Sequence, residues 1–461
     1  MLKKILLVVL LAALAFGVYY LWQAFPIISG FGAKNMCSCV FVSGRDKQSV
    51  LDNELSSFFL SLGSYDVNFT DSSTTASVFG TASKKAVYRK GLGCTLVSGL
   101  TEDEIKAQPY TVASNISFDA DTVAWPMGDQ SIDSLKPTFD EQRMKQAIDR
   151  AFEEPEPSTP RNTRAVLVVY DGQIVGEKYA EGFSADQPQL GWSMSKSVTS
   201  ALIGILVKEG KLDIKERAPV SEWEEMTDPR REITLDQLLR MSSGLSWIEH
   251  YASPTAATNM LFKSSDFGQS AAQSKLSSDP DTKWYYSSGT SNIISRIVRH
   301  TVGDEQYHSF PQQALFDKLG MQTALIEPDA SGTFVGSSYM WASARDWARF
   351  GLLYLNDGVW NGERILPEGW VEYSSTPTPD APLGKYGAHF WLNKGEHYSP
   401  EKRTLVDVPN DAFWANGYEG QTVYIVPSKK LVVVRLGQTA GGNFDFNQFL
   451  SSIISALPAD S

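Results

Sequence analysis

The sequence predicts an α+β fold, in which one antiparallel sheet packs against the first and last helices of its unit and a mostly helical insertion lies between two hairpins. The first hairpin has strand-like runs at 165–170 and 173–179. The turn between them is Asp171-Gly172, a pair that supplies the residues a tight primed turn requires. Between about 211 and 322 the pattern is mostly helix and loop, which predicts the insertion.

A second hairpin and a closing helix are predicted near the end of the chain. Residues 422–426 and 431–436 form two strand-like runs, which a polar turn at 427–430 separates. A helix at 139–152 precedes the first hairpin. The apolar residues after the second hairpin recur with helical spacing and predict the closing helix. These residues are Phe446, Phe449, Leu450, Ile453 and Leu457.

Two helix starts inside this unit carry capping signals. Thr234 and Gln237 have the spacing of a capping box in front of an apolar helical run. Ser343 precedes a second run that contains Trp347 and Phe350. We therefore expect helices to begin directly after Thr234 and Ser343.

Composition limits the class of protein. The chain has 461 residues, of which 42% are hydrophobic and 11% aromatic, so it can bury a large core and is not a disordered protein. Its formal net charge of -12 and its pI near 5.0 argue against a nucleic-acid partner, which would need a basic face. The sequence does not indicate an oligomeric state.

An uncharged run near the N-terminus predicts a membrane segment within residues 1–25. Lys3 and Lys4 precede it, residues 5–22 carry no charge, and its end is aromatic, as at a membrane interface. A signal peptide is the alternative, but the run is longer than a typical signal core, and of its two candidate cleavage sites the one at 13–15 lies inside the run and the one at 30–32 lies well beyond it. We favour an uncleaved anchor. The two lysines predict that everything after residue 25 is extracytoplasmic or periplasmic.

The three cysteines all lie in the first hundred residues. They are Cys37, Cys39 and Cys94, so a cysteine nucleophile is excluded from the rest of the chain. Either Cys37 or Cys39 could pair with Cys94 in an oxidising compartment. Two cysteines without a nearby histidine make a poor zinc site, and we predict neither a metal nor a cofactor.

Residues 36–130 are predicted to form a small accessory module rich in β-structure. Short strand-like runs alternate there with clusters of serine, glycine and aspartate. These runs lie at 40–42, 76–79, 86–88 and 94–97. Residues 125–129 and the polar residues after them look like a linker, and we expect the main domain to occupy residues 135–461.

The chemistry-bearing motif of the main domain is Ser193-x-x-Lys196 at the start of a predicted helix. A serine hydroxyl is a poor nucleophile unless a base lies within hydrogen-bond reach, and helical spacing of three residues delivers the Lys196 amine there. Burial would be needed to keep that amine neutral. By pattern alone, Ser193 could equally be an ordinary helix start.

Three ordered motifs resemble those of the serine β-lactamase and penicillin-binding-protein superfamily. They are the segments at 193–196, at 286–288 and at 417–421, the last of which precedes a hairpin. Residues 235–245 resemble another signature of the class C β-lactamase-related branch, which also contains esterases and 6-aminohexanoate-dimer hydrolases. The resemblance extends from about 164 to 436, and it implies a β-lactamase/transpeptidase-like fold.

The resemblance implies acyl transfer through a covalent intermediate. Ser193 would attack the substrate carbonyl, Lys196 would take its proton, and Tyr286 would relay that proton to the leaving group. Without the resemblance, Tyr286 would more often be a core aromatic residue. The backbone N–H groups of Ser193 and Tyr418 would stabilise the oxyanion, and Gly417 would let the strand approach the substrate closely.

Two positions depart from the family pattern. Ser288 stands where the family has the asparagine of Tyr-x-Asn, and Asn416-Gly417-Tyr418 replaces the Lys-Thr-Gly that meets a β-lactam carboxylate. Both changes reduce the expectation of β-lactam hydrolysis. Arg435 could supply the missing cation if its side chain faced the cleft, and the alternation of the strand does not say which face it takes.

The segment that contains Glu249 and Tyr251 resembles a stretch of the oligoamide hydrolases, where a Glu-x-Tyr pair lines the substrate site. By that resemblance, Tyr251 would donate a hydrogen bond to the scissile amide. The alternative is that Glu249 and Tyr251 cap a loop.

The sequence thus predicts a membrane-anchored extracytoplasmic serine hydrolase that cleaves a small-molecule or peptide-like amide or ester through an acyl-enzyme on Ser193. The alternative is a catalytically silent penicillin-binding-like protein that binds cell-wall peptide or a β-lactam as a sensor or scaffold. The presence of Ser193, Lys196 and Tyr286 together argues against this alternative, because a protein that only binds would not need them.

Overall fold

The computed structural model describes residues 1–132, 135, 137–156, 160–396 and 400–458. The chain forms two compact units. The first unit comprises Met1–Gln108, Trp247–Ser270 and Pro328–Thr333, and the second comprises Pro109–Ser246, Ala271–Glu327 and Phe334–Ser461. The domain boundaries expected from the sequence remain a prediction.

Helices run through both units and are mostly short after the first. The α-helices of the described residues are α1 (Leu2–Phe41), α2 (Lys47–Asp52), α3 (Glu102–Ala107), α4 (Glu141–Ala151), α5 (Ser195–Lys208), α6 (Leu235–Leu239), α7 (Ala256–Lys263), α8 (Phe267–Ala272), α9 (Ser288–Val302), α10 (Asp304–Tyr307), α11 (Asp317–Leu319), α12 (Ala344–Leu355), α13 (Trp370–Ser374) and α14 (Phe446–Ile454).

Strands are short and pair antiparallel. They are β1 (Gly63–Asn68), β2 (Ser73–Val78), β3 (Thr81–Arg89), β4 (Gly93–Leu96), β5 (Thr163–Tyr170), β6 (Gln173–Tyr179), β7 (Gln189–Leu190), β8 (Leu325–Ile326), β9 (Met340–Ala342), β10 (Val359–Trp360), β11 (Glu363–Arg364), β12 (Trp391–Leu392), β13 (Phe413–Gly417), β14 (Gln421–Val426) and β15 (Leu431–Gly437).

The first unit is built around α1. This helix is long and apolar enough to cross a membrane, and its first half is exposed. Its second half is buried from Ser29 to Cys39 and packs against a four-stranded sheet in the order β1-β2-β3-β4. The strand predicted at 40–42 is wrong, because α1 continues to Phe41. Burial of the preceding helical turns outweighs the strand propensity of those residues.

Two segments that are distant in sequence complete the first unit. The α7 segment packs on α1, where the Phe262 and Phe31 rings meet edge to face with centroids 5.9 Å apart. Residues 328–333 pack on the sheet, where Ala330 is buried with Val87 of β3 and Gln108 donates a hydrogen bond to the carbonyl of Ala330. The accessory β-structure therefore forms one packed unit with two later segments of the chain.

The second unit contains a six-stranded antiparallel sheet in the order β12-β13-β14-β15-β5-β6. The helices α4 and α14 pack together on one face, over a core that includes Val166, Val433 and Tyr424. The helix α12 packs against β14 and β15. Both predicted hairpins, β5–β6 and β14–β15, are confirmed, and with them the α+β class.

The predicted helix starts are confirmed as well. Thr234 and Gln237 form both hydrogen bonds of a capping box at the start of α6, and the Ser343 side chain accepts from the N–H of Asp346 in α12. Residues 125–129 are packed, unlike the expected linker. Trp125 is buried, and Arg349 bonds to the carbonyls of Pro126 and Gly128 in the same unit.

A disulfide joins the buried half of α1 to the sheet of the first unit. It links Cys37 to Cys94, which lies in β4, and so resolves which of the two early cysteines pairs. Cys39 keeps its thiol and is buried. The bond closes a loop of 57 residues around β1, β2 and β3.

We expect Cys94→Ala to lower the free energy of unfolding of the first unit by about 2–4 kcal/mol, because the disulfide restricts the unfolded chain. Chemical denaturation followed by a probe in this unit measures the effect. Cys39→Ala is the matched control: it keeps the disulfide, so it should lose much less stability and should still be destabilised by dithiothreitol. Equal loss in the two variants would contradict the assigned pairing.

Candidate active site

Ser193 is held at a sharp turn between a short strand and a helix. Strand β7 pairs with β9, and the N–H of Gly191 donates to the carbonyl of Met340 at 2.8 Å. Trp192 then has φ of 47°, a conformation that is costly for a bulky side chain. A single 3₁₀ turn, Trp192–Met194, leads directly into α5. Ser193 therefore lies in the first turn, where backbone N–H groups lack intrahelical acceptors.

The hydroxyl of Ser195 fixes this turn. Its Oγ donates to the carbonyl of Trp192 at 2.6 Å and accepts from the N–H of Met340 at 3.0 Å. The same side chain thus joins the turn to the neighbouring strand. This contact keeps Trp192 in its unusual backbone conformation.

Lys196 lies one turn along from Ser193, with its Nζ 3.0 Å from Ser193 Oγ. The amine also bonds to Ser288 Oγ at 3.0 Å and to the carbonyl of Ser337 at 2.8 Å. Its side chain is 1% exposed. A neutral amine can satisfy all three partners, because it can donate two N–H bonds, one of them to the carbonyl, and accept the Ser193 hydroxyl proton with its lone pair.

Ser288 comes from the first turn of α9. Ser287 caps this helix by accepting from the N–H of Thr290, which places Ser288 beside the amine of Lys196. One turn further on, the Asn292 carboxamide oxygen accepts from the N–H of Ser337 at 3.3 Å. The carbonyl of Ser337 is in turn a partner of Lys196. Ser288 and Asn292 therefore fix the amine from the same helix, one directly and one through a loop.

Tyr286 lies beside the amine and within an aromatic cluster. The Nζ of Lys196 is 4.8 Å from the centre of the Tyr286 ring. That ring packs edge to face on Tyr386, with centroids 5.8 Å apart, and tilts against Trp391 at 5.6 Å. The phenol is half-buried. The structure thus brings the three residues predicted to be catalytic, Ser193, Lys196 and Tyr286, together in the second unit.

Gly417 ends β13 directly against the Ser193 turn. A Cβ at this position would lie 2.1 Å from the carbonyl oxygen of Gly191, so no other residue fits without moving the backbone. The next residue, Tyr418, is 57% exposed, and its ring meets Trp192 edge to face at 5.8 Å. Burial and the neighbouring Glu419 carboxylate raise the pKa of Tyr418.

Arg435 does not face the cleft. It follows Leu431 and Val433 in the alternation of β15, on the face covered by α4 and α14, and it is fully buried. Its guanidinium bonds to the carbonyls of Glu419 and Gly420 at 3.2 and 3.0 Å. Burial lowers the pKa of Arg435. Arg435 therefore fixes the turn after Tyr418 by bonding to its backbone carbonyls, and it does not supply the missing cation.

His389 connects the backbone of Lys196 to α9. Its Nδ1 is 2.9 Å from the carbonyl of Lys196, and its Nε2 is 3.2 Å from the Ser291 hydroxyl of α9. Burial, followed by the nearby Lys196 amine, lowers the pKa of His389 to about 3, so the ring is neutral. A carbonyl only accepts, which assigns the ring proton to Nδ1 and makes Nε2 an acceptor from Ser291.

Glu249 and Tyr251 belong to the first unit, whereas Ser193 and Lys196 belong to the second. The Tyr251 hydroxyl donates to one Glu249 oxygen at 2.5 Å, and Trp247 Nε1 donates to the other at 2.5 Å. These contacts agree with the loop-capping alternative. A role for the pair at the substrate stays a prediction.

Sequence reasoning missed four residues of this arrangement: Ser195, Asn292, Ser337 and His389. Asn292 had a usable signal, since it follows Ser288 at the i+4 spacing of a helix face. Ser337 and His389 come from distant loops, and no local pattern indicates them. Among the described residues, no group of three or more His, Cys, Asp or Glu side chains is arranged to hold a metal ion.

The chain is similar to hydrolases and penicillin-binding-like proteins. It is 26% identical over 298 residues to a 6-aminohexanoate-dimer hydrolase from Paenarthrobacter ureafaciens, and the match covers 59% of this chain and 72% of that protein. A penicillin-binding-protein homologue from Caulobacter crescentus has a TM-score of 0.53 at 14% identity, over 68% of this chain and 96% of that one. A family VIII carboxylesterase also has a TM-score of 0.53, at 16% identity, over 69% of this chain and 96% of that one.

At these identities the solved structures show the fold alone. The family assignment comes from a family model described as Beta-lactamase, which matches residues 148–451. This range exceeds half of the chain and includes the motifs at 193–196, 286–288 and 417–421. The resemblance to the serine β-lactamase and penicillin-binding-protein superfamily is confirmed, and the chain belongs to the beta-lactamase family.

Proposed function

We propose that this protein is a membrane-anchored, extracytoplasmic serine hydrolase that cleaves small uncharged esters and short amides through an acyl-enzyme on Ser193. The observation that carries the proposal is the contact of 3.0 Å between Lys196 Nζ and Ser193 Oγ. The amine is buried and its other partners come from two further elements, so it is held ready to act as a base.

The proton path follows from this contact. Ser193 Oγ attacks the carbonyl carbon while its proton moves to Lys196 Nζ, and the carbonyl oxygen becomes an oxyanion. The N–H groups of Ser193 and Tyr418 stabilise that oxyanion. Tyr286, beside the amine, passes the proton to the leaving group, and the C–O or C–N bond breaks. Water then takes the place of the leaving group. It gives its proton to the Tyr286–Lys196 pair as it attacks the acyl carbon, and the proton returns to Ser193 Oγ as the bond between Oγ and the acyl carbon breaks.

The surroundings of Ser193 in the second unit favour an apolar, uncharged substrate. Trp192 and Tyr418 form an aromatic pair next to the nucleophile, and Tyr418 is more than half exposed. Asn416 stands where the family has a lysine, and Arg435 is buried and bound to backbone carbonyls. A carboxylate next to the scissile bond would therefore lack the cation that a β-lactam substrate normally meets.

The membrane anchor is supported by the first unit. Gly30 and Gly32, the small residues at which a signal peptidase could act, lie in the packed half of α1. A Cβ at Gly32 would lie 2.0 Å from the Tyr65 ring. Cleavage there would divide a helix that organises the unit. The Cys37–Cys94 disulfide supports an oxidising compartment for this side of the membrane.

We expect Ser193→Ala and Lys196→Ala each to lower kcat/KM for a p-nitrophenyl ester by roughly a thousandfold or more, because the two residues act as one unit. The double variant should be about as inactive as either single one. Lys208→Ala, an exposed lysine at the end of α5, is the control and should keep normal activity. Near-normal hydrolysis by Ser193→Ala would exclude the mechanism and favour the binding-protein alternative.

We expect kcat/KM for a p-nitrophenyl ester to exceed that for a chromogenic cephalosporin. The loss of one charge-assisted hydrogen bond costs about 1.5–3 kcal/mol, or about ten- to a hundredfold. A higher cephalosporin rate in the unmodified protein would reverse this ranking.

A further inference from the structure

The helix α1 changes its surroundings part of the way along its length. Up to Trp22 its side chains are mostly exposed and apolar, and from Ser29 onwards most of them are buried in the first unit. The change occurs over the six residues 23–28, or about 9 Å of helix. Whatever part of the first unit contacts α1 over this interval must lie where the apolar run leaves the membrane.

One end of the four-stranded sheet contacts α1 at that interval. The turn between β2 and β3 places the Phe79 ring 5.9 Å from the ring of Phe25, and the Ser29 hydroxyl donates to the carbonyl of Ala82. In the antiparallel register Gly63 is opposite Val78. The chain just before β1 is therefore at the same end of the sheet.

This end of the sheet exposes three phenylalanines, here termed the aromatic edge. Phe79 is 67% exposed at the turn, and Phe58 and Phe59, which precede β1, are 73% and 64% exposed. The opposite end lies far from the apolar run, since there the Phe69 ring packs on Phe41 at 5.7 Å. From Phe25 to Phe41, α1 rises by about 24 Å.

Phe79 is also unusual for the turn that it occupies. It has φ of 50° and is followed by Gly80 with φ of 69°, while Val78 pairs with Thr81. Such two-residue turns favour asparagine or aspartate in the first central position, because a bulky side chain there is strained. Neither the turn nor contact with water therefore favours a phenylalanine here; the Phe25 ring covers part of its side chain, and an apolar environment outside the protein would cover the exposed remainder.

One lysine lies close to the same level of α1. Lys263, at the end of α7, donates to the Gln23 carboxamide oxygen at 2.8 Å. An amine one residue beyond Trp22 is suited to the phosphates of lipid headgroups.

We propose that the aromatic edge inserts into the interfacial layer of the bilayer that α1 crosses, with Lys263 at the level of the phosphates. The first unit then lies directly on the membrane surface, and no flexible linker separates it from the bilayer. This inference rests on the proposed membrane anchor, and its occupant is the lipid bilayer, by continuity with the apolar run of α1.

Depth-dependent quenching in vesicles tests the proposal. The full chain, carrying Cys39→Ala to remove the remaining thiol, is reconstituted into phosphatidylcholine and phosphatidylglycerol vesicles. An NBD fluorophore is attached at Phe79→Cys or, as a second position, Phe59→Cys. Phe69→Cys is the matched control, because Phe69 is 72% exposed at the opposite end of the sheet. A circular dichroism spectrum and an unfolding temperature equal to those of the unlabelled chain show that each labelled chain is folded.

We expect lipids with a doxyl group near the headgroup to quench NBD at positions 79 and 59, with emission shifted to the blue, and iodide to quench NBD at position 69. Equal iodide quenching at positions 79, 59 and 69 would overturn the inference and leave the anchor intact. Protection from both quenchers would also overturn it, since a protein partner would then cover the edge. Failure of the full chain to float with vesicles would exclude the anchor and this inference together, but not hydrolysis by Ser193.

Discussion

The arrangement at Ser193 depends on one buried amine. Lys196 Nζ contacts oxygens from three parts of the second unit: Ser193 in the turn before α5, Ser288 at the start of α9, and the carbonyl of Ser337 in the loop before β9. Because each oxygen is fixed by its own element, the amine cannot turn away from Ser193 without leaving polar groups unsatisfied in the interior, which is costly. The helix α5 is further tied to α9 through His389.

Close backbone approach is the second constraint. The end of β13 lies so close to the carbonyl of Gly191 that Gly417 has no room for a side chain, and a Cβ at Gly191 would meet the Trp347 ring. The same contact positions Tyr418, and Arg435 holds the following turn by its carbonyls. The Arg435 guanidinium on β15 is therefore bound to backbone carbonyls inside the protein. In relatives that hydrolyse β-lactams, the strand equivalent to β13 would present a cation to the substrate. This links the packing of the sheet to the expected preference for uncharged substrates.

Local patterns predicted much of the fold and the chemical centre. The turn Asp171-Gly172, the capping residue Thr234 and the spacing of Ser193 and Lys196 all act within a few residues, and each is found as expected. Long-range packing could not be predicted in this way. The strand expected at 40–42 became the end of α1 because its neighbours are buried, and the face taken by Arg435 was settled by α4 and α14.

Labelling of the full chain with a fluorophosphonate, followed by peptide mapping, tests directly whether Lys196 activates Ser193. We expect one covalent adduct, on Ser193, which Lys196→Ala abolishes and Lys208→Ala does not affect, because the adduct requires a serine activated by the buried amine. An adduct on another residue, or no adduct on a chain that still hydrolyses esters, would contradict the activation of Ser193 by Lys196.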